Sequence, residues 1–475
     1  MRRLLICAAA LCFSSSALAS GFVVARFGGE HGHPTTSNPT ALYYNPAALS
    51  LGTGTRLFID GTLAHRSVDY TRPVEAIQNP MNAGGASGEL NSGLAQLRNF
   101  AGSPFIGLAS DFGVPKLNVG LGFFAPFGGG ASWSERSDLS DEQRAAYPGV
   151  QDGTQRWWSI DSSLKVLYFS AGASYQLHKM VSLGLSVNYV QSSIDTVRAR
   201  NSNGSDDLVQ ANGSSLEEGR SYLNAKGSDV SVGLGVLIQP LDTLRIGYSY
   251  QTQPGFSGVT KMQGELWSTV KSNPSPEEAQ EVEFHQALPA IHRLGVTWRQ
   301  SEQLELRLFG DYVGWSVFED QCVTSEIGSA CEVQADGTAI DGTKPTLNIK
   351  RNWQDAFGVR LGASYWLNPM WELYVGGGYD GNAVPDETMD PSLFDMNKYS
   401  AAIGARVSLL EDSLKIALTY TQVFYETREV PVTYNEINGM QVASNPFVTT
   451  SNGPSAAGTY VQAIGVGNLN VEYRF

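Results

Sequence analysis

From Thr55 onward, apolar and polar residues alternate. Val181, Leu183, Leu185, Val187 and Tyr189 interleave with Ser182, Gly184, Ser186 and Asn188. Leu304, Leu306, Leu308 and Tyr312 alternate with Glu305, Arg307 and Asp311, and Leu414, Ile416, Leu418 and Tyr420 with Lys415, Thr419 and Thr421. Successive side chains of a strand point to opposite faces, so each run predicts a strand with one face in an apolar medium. Such runs predict fourteen strands, near 55–71, 103–112, 117–127, 158–176, 180–197, 226–238, 243–256, 287–299, 303–318, 351–367, 370–384, 397–409, 412–426 and 459–475. No helical period of comparable strength lies between them.

The connections alternate between short and long. Tight turns fall near Gly113-Val114-Pro115, Leu177-His178-Lys179, Pro240-Leu241-Asp242, Gln300-Ser301-Glu302, Asn368-Pro369 and Leu410-Glu411. Long connections fill 72–102, 128–157, 198–225, 257–286, 319–350 and 427–458, with a shorter one at 385–396. Sorting of loops by side is the pattern of a bacterial outer-membrane barrel, with short periplasmic turns and long extracellular loops. A soluble sandwich has no reason to sort them. Trp366 and Trp371 bracket one tight turn, as an inner aromatic girdle would, and Trp157, Trp158 and Trp315 at the opposite strand ends predict an outer one.

Composition agrees. With 46 acids against 32 bases the formal charge is −14, which argues against a nucleic-acid partner. Hydrophobic residues at 42% and charged ones at 16% argue against a disordered chain. No apolar run after the N-terminus is long enough for a membrane helix. The mean hydropathy of −0.16 suits a membrane barrel, whose strands hide only alternate residues in lipid. The expected fold is all-β, a fourteen-stranded antiparallel transmembrane β-barrel over residues 54–475.

Residues 1–19 read as a signal peptide: Arg2 and Arg3, the apolar run Leu4 to Phe13, then Ala17-Leu18-Ala19 as cleavage site. Ser20 would open the mature chain, and Cys7 and Cys12 would leave with the signal. Cys322 and Cys331 remain, nine apart in a polar stretch, and an oxidising compartment favours their closure as a disulfide.

Residues 20–53 are not a strand. Gly28-Gly29 and His31-Gly32-His33-Pro34 are followed by Leu42, Tyr43, Tyr44, Ala47, Ala48 and Leu49, which want burial. A plug inside the barrel lumen satisfies them better than a periplasmic tail. Asn45-Pro46-Ala47 closing this segment, after an export signal and Gly21-Phe22, resembles the FadL/TodX family of outer-membrane transporters for long-chain fatty acids and other hydrophobic compounds. Phe123-Phe124-Ala125-Pro126-Phe127-Gly128 resembles the family's third strand, and Leu288-Pro289-Ala290 with Arg293-Leu294-Gly295 its eighth. Asn352-Trp353-Gln354-Asp355, Leu361-Gly362, Tyr379-Asp380 and Val384-Pro385-Asp386-Glu387 resemble its tenth and eleventh. The Gly-Glu-His-Gly-His-Pro stretch departs from the usual small-residue start of the plug.

The resemblance implies a fourteen-stranded barrel, a plug, and passive uptake of a hydrophobic ligand. The ligand would sit in a groove between outer loops, reach a pocket beneath the plug, pass Asn45-Pro46-Ala47 and leave sideways through the wall. Trp133, Tyr147, Leu266 and Trp267 are candidate groove residues, and Arg156, Lys165 and Arg351 candidate partners of a ligand carboxylate. Pro126 has no N–H, so a ladder must break there. Either the third strand ends at the outer rim, or it kinks over Ala125, Pro126, Phe127, Gly128 and Gly129; the resemblance implies the kink and a lateral window.

Other motifs carry less. Gly120-Leu-Gly122-Phe-Phe-Ala125 matches a dinucleotide pattern but has no following helix, so glycines admitting close backbone approach explain it better. His31 and His33 read as polar plug surface, and Asp386, Glu387 and Asp390 as solvated loop acids. No G-x-S-x-G elbow occurs. The expectation is a transporter rather than an enzyme, without metal or cofactor. It would be a monomer held among outer-membrane lipid and lipopolysaccharide, presented to the barrel-assembly machinery through the terminal Phe475. The alternative is a general diffusion porin or a structural, adhesive barrel, neither of which needs an apolar plug.

Overall fold

The computed structural model describes residues 26–475 except 202–203, 211–213, 215, 217, 257, 270–277, 333–339, 341, 343–344, 438–439 and 448–452. The signal-peptide reading of 1–19, and Ser20 as mature start, lie outside the described residues. Fourteen staves form one closed antiparallel sheet. Six run unbroken on the N-terminal side: β1 (Thr55–Arg72), β2 (Gly93–Ser110), β3 (Leu117–Ser132), β4 (Asp161–His178), β5 (Val181–Arg200) and β6 (Gly219–Leu241). Four are split in two: β7 (Leu244–Gln251, Thr260–Ser268), β8 (Gln280–Gln286, Ile291–Arg299), β9 (Leu304–Val313, Asp320–Thr324) and β10 (Leu347–Lys350, Ala356–Trp366). The last are β11 (Trp371–Asp380), β12 (Lys398–Leu409), β13 (Leu414–Tyr425) and β14 (Gly458–Arg474). Pairing of β1 with β14, from Arg56 opposite Arg474 to Thr71 opposite Thr459, closes the barrel.

The alternation sorts as period two requires. Ile59 and Leu63 of β1, Leu183, Leu185 and Val187 of β5, and Leu306 and Leu308 of β9 point outward and are exposed, as a lipid belt must be. Their neighbours Asp60, Arg66, Ser186, Asn188 and Arg307 are buried in the lumen.

Three expectations change. β2 starts at Gly93 rather than near 103, because its outer half pairs with β1 as far as Arg72. The long connection 257–286 contains the outer halves of β7 and β8, which extend the wall above the membrane. Lys261, Gln263 and Glu265 face outward there into water, so the apolar-out signature is missing. Trp157 and Trp315 form no outer girdle: both are buried, and Trp158 packs on the same internal cluster. Trp315 instead lies 4.8 Å from Trp353 and 6.5 Å from Phe127, centre to centre, across the lumen.

The N-terminal segment fills the inner half of the lumen. Helical turns Gly29–His31, Ala41–Tyr44 and Pro46–Leu51 bury nearly all of their side chains. Asn45 Nδ2 donates to Pro34 O at 2.9 Å and to Val236 O of β6 at 3.1 Å, while its Oδ1 accepts from Ala47 N. The wall is recessed to receive the segment. A Cβ at Gly184 would stand 2.0 Å from Ala47 N, and one at Gly235 would meet the Asn45 side chain. Leu42 occupies the space left by Gly120, Gly122 and Gly172, which accounts for the Gly-x-Gly spacing in β3. His31 Nε2 donates to Glu372 at 3.0 Å; burial lowers the ring's pKa to about 4, leaving it neutral.

Cys322 and Cys331 form a disulfide, with Cα atoms 5.9 Å apart. Cys322 pairs with His285 across β9 and β8, so the bridge straps the following loop over the outer wall.

Three outcomes follow. On intact cells a membrane-impermeant maleimide should label a cysteine at the exposed Met81 and not one at Asn368; the reverse would invert the topology. Gly184→Val and Gly235→Val should leave a folded, heat-modifiable barrel that passes ions in planar bilayers where the unaltered protein is near silent. Silence of both folded variants would refute the packing described. Reduction of the disulfide should lower stability by about 2–3 kcal/mol, the loop-entropy value for so short a ring, read as an earlier denaturation midpoint.

Candidate functional site

Between β2 and β3 the backbone ladder is interrupted over a long stretch. Their pairing runs from Ser110 opposite Val119 to Phe105 opposite Phe124 and stops. Beyond it β2 meets Pro104 and β3 meets Ala125-Pro126, and neither proline can donate a ladder hydrogen bond. On its other side β3 bulges: Phe124 faces Tyr168 of β4, but Phe127 faces Val166. The strand therefore kinks and continues to Ser132, rather than ending near 127 at the rim. Contact with β2 resumes only where Leu97 bridges Trp133 and Ser134 N donates to Gln96 O. The result is a slit between residues 98–104 and 125–132, about 20 Å long at the usual strand rise.

None of Gly128, Gly129 and Gly130 takes a left-handed φ. The bulge at Ala125-Pro126 supplies the bend, and the glycines supply the absence of side chains along the slit. Three side chains bridge it. Ser103 Oγ donates to Ala125 O at 3.2 Å, Asn99 Nδ2 to Gly130 O at 3.1 Å, and an Arg66 guanidinium N–H to the same carbonyl at 3.4 Å.

Directly inside lies a cavity of about 110 Å³. Gly129, Gly130 and Ala131 form its slit side, and Leu164, Ile194, Leu223, Leu266, Phe284, Val323 and Phe394 much of its apolar lining. Arg66, Arg198 and Arg351 also reach it. Arg351 is compensated by Asp390 at 2.8 Å. Arg66 is buried, binds Gln462 Oε1 at 3.0 and 3.1 Å, lies 4.9 Å above the Phe394 ring, and has no carboxylate partner among the described residues.

The expected site residues separate. Arg351 and Leu266 line the cavity. Arg156 does not: it is buried in the loops, held in a bidentate pair with Glu218 and 4.4 Å above the Trp157 ring. Lys165 alternates with buried Leu164 and Val166, so it faces outward rather than into the lumen. Trp133 is buried at the upper end of the slit. Tyr147 packs on the loop cluster around Leu90, Leu139, Val150 and Leu208, and Trp267 stacks on Tyr222 at 5.2 Å. The four groove residues therefore do not share one groove.

The cavity is not beneath the plug but on its extracellular side. Asn45-Pro46-Ala47 packs against β5, β6 and β7, away from the slit. The plug meets the slit instead through Phe27 and Tyr43, whose rings lie 5.6 and 5.5 Å from Phe124; Phe27 is 5.3 Å from Phe105. Arg66, Asn99 and Ser103 were not singled out from the sequence, although Arg66 occupies an inward position of β1 between Ala64 and Val68. Of His31 and His33, each is bonded within the plug region, to Glu372 and Thr35 respectively.

Comparison with known proteins gives the same architecture. The family model described as outer membrane protein transport protein (OMPP1/FadL/TodX) matches residues 10–475. A Pseudomonas aeruginosa FadL homologue of known structure superposes with a TM-score of 0.72 at 16% identity, covering 97% of this chain and 100% of that one. The Ralstonia pickettii toluene transporter TbuX aligns at 0.59 and 17%, covering 94% and 100%. The Pseudomonas putida toluene transporter TodX aligns at 0.61 and 14%, covering 94% and 99%. Among curated proteins none matches this sequence. The match over almost the entire chain shows that this protein belongs to the FadL/TodX family of transport proteins of the bacterial outer membrane, and is a transporter rather than an enzyme.

Proposed function

We propose that the protein takes up hydrophobic small molecules, such as long-chain fatty acids or hydrocarbons, by passive lateral diffusion through the slit between β2 and β3. The observation that carries this reading is shared lining: Gly129, Gly130 and Ala131 bound both the cavity and the unladdered wall. A molecule in the cavity needs only to move outward past backbone to reach lipid. In this reading the plug, buried and packed on β3 to β7 and on β11, is neither displaced nor traversed. Transfer of apolar surface from water to lipid is favourable by about 25 cal/mol per Å², so no energy source is required.

The lining supports such a cargo. Aliphatic and aromatic side chains make up much of it, joined by three arginines and several serine, threonine and glutamine side chains, the mix of apolar surface and a few polar groups usual in ligand sites. FadL-like and toluene-transporting proteins share the fold, which agrees with a hydrophobic cargo. Arg351, and not Arg156 or Lys165, is the expected residue placed to meet a polar head. The residues 20–53 form the plug in this reading, and the barrel works as a monomer, since one chain contains cavity and exit together. Phe475 is exposed at the end of β14, where the assembly machinery and lipid can reach it.

The deciding experiment fills the slit. Gly128→Leu with Gly129→Leu should reduce uptake of a labelled hydrophobe at least about tenfold, the effect of 1.4 kcal/mol on a barrier, while heat-modifiable folding is retained. Undiminished uptake by the folded double variant would exclude the slit and leave an axial route past the plug.

A further inference from the structure

The cavity is small for its proposed work. At about 110 Å³ it falls well short of the roughly 300–1,000 Å³ usual for ligand sites, so a chain-length molecule enters only as a wall yields. Most of its lining stands on ladder-bonded staves. The slit wall is laddered on its far sides only, β3 to β4 and β2 to β1, and across the slit the hydrogen bonds from Ser103, Asn99 and Arg66 reach carbonyls of β3.

These three donors differ in what else they touch. Ser103 and Asn99 belong to β2 and act only across the slit. Arg66 comes from β1, reaches behind β2, and lines the cavity as well. It holds the 3.4 Å contact to Gly130 O together with its bonds to Gln462 Oε1, and carries a buried positive charge that no carboxylate neutralises among the described residues. A carboxylate entering the cavity is a better acceptor than a carbonyl that already receives Asn99, because charge-assisted bonds are about twice as strong as neutral ones.

We propose that Arg66 is a latch coupling cargo to exit: an anionic group arriving in the cavity draws its guanidinium from Gly130 O, removing one of the side-chain bonds that cross the slit. This rests on the slit being the exit, and it deepens that reading by making exit responsive to the cargo's head. Arg66 acts here as a positioning residue, through Gly130. A neutral hydrocarbon would lack the means to release the latch and would depend on thermal opening alone.

The test reads slit opening and not transport. A cysteine replaces Ala101, which is buried on β2 beside the slit, in a background where Cys322 and Cys331 remain disulfide-bonded. Its reaction rate with a maleimide is followed in proteoliposomes with no addition, with laurate, or with dodecane. Laurate should raise the rate about fivefold, the factor set by one net hydrogen bond of about 1 kcal/mol, and dodecane should leave it unchanged. Adding Arg66→Met should give a raised rate indifferent to laurate. Adding Asn99→Ala should raise the rate yet keep the laurate response, which separates a latch from simple loosening. Arg66→Lys, retaining charge with one compact donor head, should restore part of the response. Equal rates with and without laurate, or a full response in Arg66→Met, would overturn the proposal. If instead the latch behaves as stated while the leucine-filled slit still transports, the exit reading fails and the latch stands as a local device.

Discussion

A backbone amide or carbonyl facing hydrocarbon has no water to turn to, and this demand organises the entire chain. Within the membrane it requires each stave to be flanked on both sides, hence the pairing of the first with the last. It also fixes alternation as the only way one strand can satisfy lipid outside and polar groups inside. The interval between β2 and β3 matters because the demand is met differently there. Ser103, Asn99 and Arg66 replace ladder bonds with side-chain bonds, which have fewer partners and can be exchanged singly. Rigidity is thus surrendered along one seam, beside the cavity.

The lumen is divided by chemistry as well as by height. Its inner half holds the N-terminal segment through hydrogen bonds such as Asn45 to Val236 and through apolar contacts of Phe27, Leu42 and Tyr43. Its outer half is roofed by loops held by buried ion pairs, including Arg72 with Asp206 at 2.6 Å and Arg156 with Glu218. Such pairs gain little net stability against the cost of desolvating them, but removing one partner strands a buried charge. Arg156 therefore serves loop architecture, and the cationic character of the cavity falls to arginines whose charge is less fully met.

The barrel was legible from sequence because lipid imposes a repetitive pattern on each stave. Legibility failed where the surroundings change. The outer halves of β7 and β8 stand in water, so Lys261 and Glu265 mask them as loop. Trp157 and Trp315 follow the strand-end position of a girdle, yet the parity of one residue decides between lipid and lumen, and parity is lost at irregular strand ends. The same parity sends Lys165 outward. Arg351 lines the cavity, whereas Arg66 lay in plain view at an inward position of β1; its contact is with the distant Gly130, which no local pattern links to it. Pro126 signalled an interruption, and only the bulge against β4, together with Pro104 on the facing strand, made it a kink.

The recesses in the wall carry a further implication. Leu42 fits behind Gly120, Gly122 and Gly172, and Ala47 behind Gly184, so the wall is shaped around the segment. The segment also runs directly into β1, whose first residue Thr55 accepts through its carbonyl from Phe475 N at the end of the last stave. Wall and segment are therefore one casting: each glycine recess is matched to a part of the segment, and a barrel lacking it would be left with unfilled hollows at those positions.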